Sequence, residues 1–130
     1  MPVNNTIVWV NAGLMSFQSG RGVRRIVLVL GGGRGIVQQV LALMAREAAR
    51  GYRGFELHVF TTRPRPDYME TVRGIILNNI AYSLRVWYHG ADTVKLREIV
   101  ASPDTAVVVD ETADEELKQA AMEAVGVTQG

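Results

Sequence analysis

Short apolar runs rich in β-branched residues recur along the chain, alternating with stretches whose apolar positions return every three to four residues. The runs at 6–10, 26–30, 55–61, 83–88 and 106–109 each predict a strand. The helical period is clearest after the second run, where Ile36, Val37, Val40, Leu41, Met44, Ala45 and Ala48 share one face until Gly51 stops the helix. Met69, Val72, Ile75 and Ile76 predict a second helix opened by Pro66 and Asp67, with Asp67 and Glu70 at capping-box spacing. A short helix over 93–100 is broken by Ser102 and Pro103. Thr112, Ala113, Asp114 and Glu115 read as the capping box of a last helix that packs Leu117, Ala120, Ala121 and Val125 and stops before Gly126. Residues 11–24 read as a loop with a short return strand at 14–17.

Four consecutive strand-helix units predict an α/β fold, a Rossmann-like three-layer sandwich around a mostly parallel central sheet of about five strands. A chain of 130 residues suffices for one such domain and is too short for two ordinary ones. In this architecture the functional crevice opens at the carboxyl ends of the strands, where strand order reverses. The residues expected there are 31–35, 61–65, 89–92 and 110–112. With the 26–30 strand central, and 55–61 and 83–88 on either side of it, the glycine turn and the His89-Gly90-Ala91-Asp92 turn would flank the switch point.

The turn itself reads Gly31, Gly32, Gly33, Arg34, Gly35. Such a turn serves either an anion, cradled by backbone N–H groups at a helix start, or tight packing alone. It is not a dinucleotide fingerprint, because the third glycine of G-x-G-x-x-G would fall on Ile36 or Gln38. The next strand ends in Thr61-Thr62-Arg63, without the acid that would hold an adenosine ribose, and no Gly-Lys-Ser/Thr follows any glycine run. No cofactor is therefore expected. What remains is a site for a monophosphate, a sugar phosphate or a nucleotide phosphate, with Arg34 and Arg63 as paired guanidinium clamps.

His89 ends a strand beside this crevice, and Asp92 follows three residues on, so either is a candidate catalytic base; Asp92 equally suits the N-cap of the short helix. Asp110 could bind a ligand hydroxyl or simply begin the last helix. His58 and Glu56 alternate with the apolar residues of their strand and are expected to face outward or pack at an edge. Trp87 and Tyr88 should send one ring to each face, as core. No His-x-x-x-His, Gly-x-Ser-x-Gly or carboxylate cluster is present, and no metal site is expected.

Charge adds one asymmetry to this picture. Thirteen of the fourteen Lys and Arg residues lie between Arg21 and Arg97, whereas residues 104–123 hold seven acids and one lysine. The bias toward Arg suits phosphate forks and also follows from genomic base composition, and binding of nucleic acid stays open. The chain has no cysteine, which excludes disulfides and thiolate sites and fits a reducing compartment. No apolar run approaches the ~20 residues of a membrane span. Met-Pro-Val-Asn-Asn lacks a basic signal start, so a cytoplasmic protein with no membrane partner is expected. A homodimer is also expected, with Trp9, Leu14 and Phe17 as candidate contacts.

Residues 55–64, a strand ending in Thr-Arg-Pro before a helix, resemble the initiation factor 2B regulatory subunits, a family that includes isomerases of methylthioribose 1-phosphate and ribose 1,5-bisphosphate. Asn11-Ala-Gly13 and Gly90-Ala-Asp92 are similar to tripeptides of those isomerases. The resemblance implies that Arg63 contacts a phosphate and that Asp92 is the catalytic acid, while Val10 stands where those isomerases carry cysteine. The residues together predict a small module that binds a phosphorylated small molecule or nucleotide as a sensor or regulator, without catalysis. The alternatives are a ligand-free structural or interaction protein, as in archaeal viruses, and a cyclic-oligonucleotide sensor.

Overall fold

The computed structural model describes residues 6–10, 15–16, 24–32, 35–78, 82–102 and 105–129. Its elements in chain order are β1 (Thr6–Val10), β2 (Met15–Ser16), β3 (Arg25–Val29), α1 (Gly35–Ala49), β4 (Gly54–Phe60), α2 (Arg65–Leu77), β5 (Ser83–Gly90), α3 (Thr93–Val100), β6 (Thr105–Asp110) and α4 (Glu115–Gln129). The strands form one sheet in the order β2-β1-β6-β3-β4-β5. All neighbours pair in parallel except β2, which runs antiparallel to β1. The fold is the α/β sandwich that the alternation of strand and helix patterns predicts.

Each face of the sheet has its own helical layer. Ile26 and Leu28 of β3 join Phe55, Leu57 and Val59 of β4 beneath α1 and α2, whose Ile36, Val40, Met44, Val72 and Ile75 close that core. Val27, Val29, Phe60, Val107 and Val109 pack on the other face beneath Leu96, Ile99 and Val100 of α3 and Leu117, Ala120 and Ala121 of α4. β3 and β6 are thus covered on both sides, which is why each is a continuous apolar run without alternation.

The strand order corrects one expectation. β5 does not flank β3; it lies outside β4, and the other neighbour of β3 is β6. From β3 the chain steps outward to β4 and β5 with α1 and α2 on one face, then returns through α3 on the opposite face to β6. Reversing the direction and the face together keeps the crossovers of one hand. The switch point therefore lies between β3 and β6, and the partner of the glycine turn is the turn after β6.

Local signals fared unevenly. Gly51, at φ 104°, ends α1 as expected. Asp67 is not the start of α2: the helix begins at Arg65 with Pro64 as N-cap and no side-chain cap bond, and Pro66 sits in the first turn, where its missing N–H costs no helical bond. At α4 the side chain of Asp114, not Thr112, accepts from a first-turn amide, that of Glu116 at 3.1 Å, and the helix continues through Gly126 to Gln129. Leu14, Phe17 and the side chain of Trp9, the candidate dimer contacts, lie outside the described residues.

Candidate functional site

At the switch point the turns after β3 and β6 touch. Gly31 packs so closely on Thr112 that a Cβ there would collide with the Thr112 carbonyl carbon and hydroxyl. The N–H of Gly32 donates to Thr112 Oγ1 at 2.9 Å, and that hydroxyl donates to Asp110 Oδ1 at 2.9 Å. The Thr112 N–H donates to the same carboxylate oxygen at 3.0 Å. Asp110 is fully buried, so its carboxylate organises the turn instead of lining a ligand surface. Gly31 accordingly has a packing role.

Arg63 completes the edge. The end of β4 is anchored by Thr61, whose buried hydroxyl donates to the Leu30 carbonyl at 3.1 Å and accepts the Arg63 N–H at 3.0 Å. This brings the exposed Arg63 guanidinium over Gly32, into the space that a Gly32 side chain would fill. No carboxylate pairs with Arg63 among the described residues. An exposed, unpaired guanidinium beside a glycine turn can present a planar fork to an oxyanion.

Of the other residues expected here, Gly35 opens α1, whose first turn carries no acid and so keeps its positive end uncompensated. Gly33 and Arg34 lie outside the described residues, and the two-arginine clamp has only its Arg63 half on view. Asp92 is the N-cap of α3, accepting from the Lys95 N–H at 3.0 Å. No family model, curated protein or solved structure matches the chain. The site must be read from its own geometry.

A second polar constellation lies on the β4–β5 face. His58 is buried, at 8% exposure, so of the two positions expected for it, facing outward or packing at an edge, it takes the second, against the edge strand β5. Its Nε2 lies 3.2 Å from Glu56 Oε1, and its Nδ1 lies 2.9 Å from His89 Nε2. Arg25 Nε holds the same Glu56 oxygen at 3.3 Å. Trp87 stacks on His58 with centroids 4.8 Å apart, and Phe60 stacks on His89 at 4.7 Å. The two imidazoles are parallel within 5° with centroids 5.2 Å apart, the separation of rings joined end to end by a linear N–H···N bond. Burial lowers the pKa of both histidines, and for His89 the neighbouring His58 adds to the effect.

Trp87 and Tyr88 do take opposite faces, but they are 37% and 44% exposed and not core. At the amino edge a cleft of about 260 Å³ is lined by Arg24, Gly54, Phe55, Glu56, Ser83 and Arg85. Among the described residues no three His, Asp or Glu side chains converge on a metal-sized position, and no helix is long and apolar enough to cross a membrane. Thr61 and Thr112 lie in the crevice segments that the sequence predicts, but their ties to Leu30, Arg63, Gly32 and Asp110 were not legible, and Glu56 was not legible as a site residue.

Proposed function

We propose that the chain is a binding module for a phosphorylated small molecule or nucleotide, held at the carboxyl edge of β3 by the Gly31 to Gly35 turn and Arg63. The observation that carries this is the exposed Arg63 guanidinium, without a carboxylate partner among the described residues, poised over Gly32 at the switch point. Thr61 and Thr112 fix the two flanking turns, so the guanidinium is presented on a rigid edge. The N–H of Gly32 is already spent on Thr112, so the backbone donors for an anion come from the start of α1. Arg63 contacting phosphate is also what the likeness to the initiation factor 2B family implies. The module acts as a sensor or regulator in the cytoplasm and works as a homodimer.

Whatever binds only the folded state raises its stability by mass action, about 2.7 kcal/mol at a hundred times Kd. A thermal-shift series with inorganic phosphate, sugar phosphates, mononucleotides and cyclic oligonucleotides should raise the Tm of the native protein and leave Arg63→Ala unmoved. No shift with any of them would favour a ligand-free structural protein. Light scattering of a monomer at high concentration would remove the dimer.

A further inference from the structure

The cleft at the amino edge of the sheet, at the opposite end of the strands from the glycine turn, gathers charge from three neighbouring strands. Arg24 precedes β3, Glu56 belongs to β4, and Ser83 and Arg85 belong to β5; all four line the cleft around Gly54 and Phe55. The sheet fixes their backbones. Glu56 donates its N–H to the Arg24 carbonyl at 2.8 Å, Arg85 stands opposite Glu56 in the β4–β5 register, and the Ser83 N–H donates to the Arg53 carbonyl at 2.9 Å. Arg24 and Arg85 are exposed, and neither has an acid partner among the described residues. Glu56 is held by Arg25 and His58, which reach its Oε1 at 3.3 and 3.2 Å, so Oε2 is the oxygen left for the cleft.

Across the sheet these groups run cation, anion, cation. Arg24 and Arg85 come from the two sides of β4, on strands two spacings of about 4.8 Å apart, and Glu56 stands between them. Two guanidinium groups rooted that far apart suit two carboxylates better than one small anion. The carboxylate in the middle repels phosphate and accepts from an ammonium. We infer that the cleft is a binding site for an amino dicarboxylate of the class of L-aspartate, whose two carboxylates meet Arg24 and Arg85 and whose ammonium donates to Glu56, with the Ser83 hydroxyl as a further donor. The volume of about 260 Å³ lies below the ~300–1,000 Å³ of pockets for drug-sized ligands, which fits a ligand of amino acid size. This site is independent of the phosphate site, because Arg63 and the glycine turn lie at the carboxyl ends of the strands.

The test titrates nitrogen-15-labelled native protein with L-aspartate, with inorganic phosphate, and with succinate, the same dicarboxylate without the ammonium. L-Aspartate should shift the amides of Gly54, Glu56, Ser83 and Arg85 and bind at least about tenfold more tightly than succinate, the scale of one hydrogen bond between charged groups. Arg24→Gln and Arg85→Gln, which alter exposed side chains outside any ion pair, should each weaken L-aspartate about ten- to a hundredfold and leave the melting curve in place. Glu56→Gln should bring L-aspartate down to the level of succinate. Succinate bound by the native protein as tightly as L-aspartate overturns the contact to Glu56 even if that variant fails to fold. Absence of shifts at the cleft, full affinity in both arginine variants, or displacement of L-aspartate by phosphate overturns the site as a whole. The phosphate proposal is judged separately, on the amides of Gly32 and Gly35.

Discussion

β6 and β5 are both parallel strands of one sheet, yet they have opposite characters. Every residue of β6 is buried, from Thr105 to Asp110, and its turn is sealed against Gly31 by Thr112. No residue of β5 is fully buried; it exposes Ser83, Arg85, Trp87 and Tyr88 and holds His89 half-buried at its end. Position in the sheet makes the difference, because a central strand is covered by helices on both faces and flanked on both sides, whereas an edge strand has one free side. The centre supplies rigidity at the switch point, and the edge carries polar groups that the centre could not hold without cost.

Truncation of the apolar core should separate the two regions most widely. Leu28→Ala in β3 removes a fully buried side chain and should cost about 2–5 kcal/mol, while Leu84→Ala in β5, only half-buried, should cost less than half as much in the same urea titration. Equal losses would mean that β5 is covered in solution by something the single chain lacks. Gly31→Ala comes next. Its Cβ would meet backbone atoms of Thr112 and Ala113, which cannot swing aside, so a loss of about 1–3 kcal/mol is expected. A neutral outcome in the melting curve would show that the turns after β3 and β6 stand further apart than described.

A smaller effect is expected of Thr112→Val, which keeps the shape but removes the hydroxyl shared by Gly32 and Asp110. Removing one hydrogen bond from the buried Asp110 carboxylate should cost about 1–2 kcal/mol, since the Gly32 N–H is exposed and can turn to water. The smallest effect belongs to the edge. His58 and His89 have folded pKa values below the ordinary 6.5, so between those values and 6.5 the unfolded chain binds more protons than the native one. Stability should be flat above pH 6.5 and decline as pH falls below it, and His58→Phe should flatten that decline. A slope unchanged by the substitution would place the titrating group elsewhere.

How far the sequence carried the fold can be read from these same strands. The runs in β3 and β6 announced buried parallel strands, and the period from Ile36 to Ala48 announced α1, because burial on both faces or on one stripe leaves a local mark. Strand order leaves none, since pairing is decided between residues far apart in the chain. Yet Arg85 and His89 in β5 were a usable clue, as charged and polar residues fit poorly in a strand covered on both faces. Gly31, Gly32 and Arg63 were legible because a glycine turn and an arginine each end a predicted strand. The Thr61 and Thr112 ties and the Glu56-His58-His89 chain were not, because each joins residues on different strands or turns.

The most direct test of the proposed phosphate site maps where phosphate lands on the native protein. Amide and arginine side-chain resonances of nitrogen-15-labelled protein should be followed as inorganic phosphate and adenosine 5′-monophosphate are added. The largest shifts are predicted at Gly32, Gly35, Arg63 and Thr112, around the turns after β3, β4 and β6. Shifts centred instead on Arg24, Gly54, Ser83 and Arg85, the cleft at the opposite edge of the sheet, would contradict the assignment, as would a spectrum that does not change.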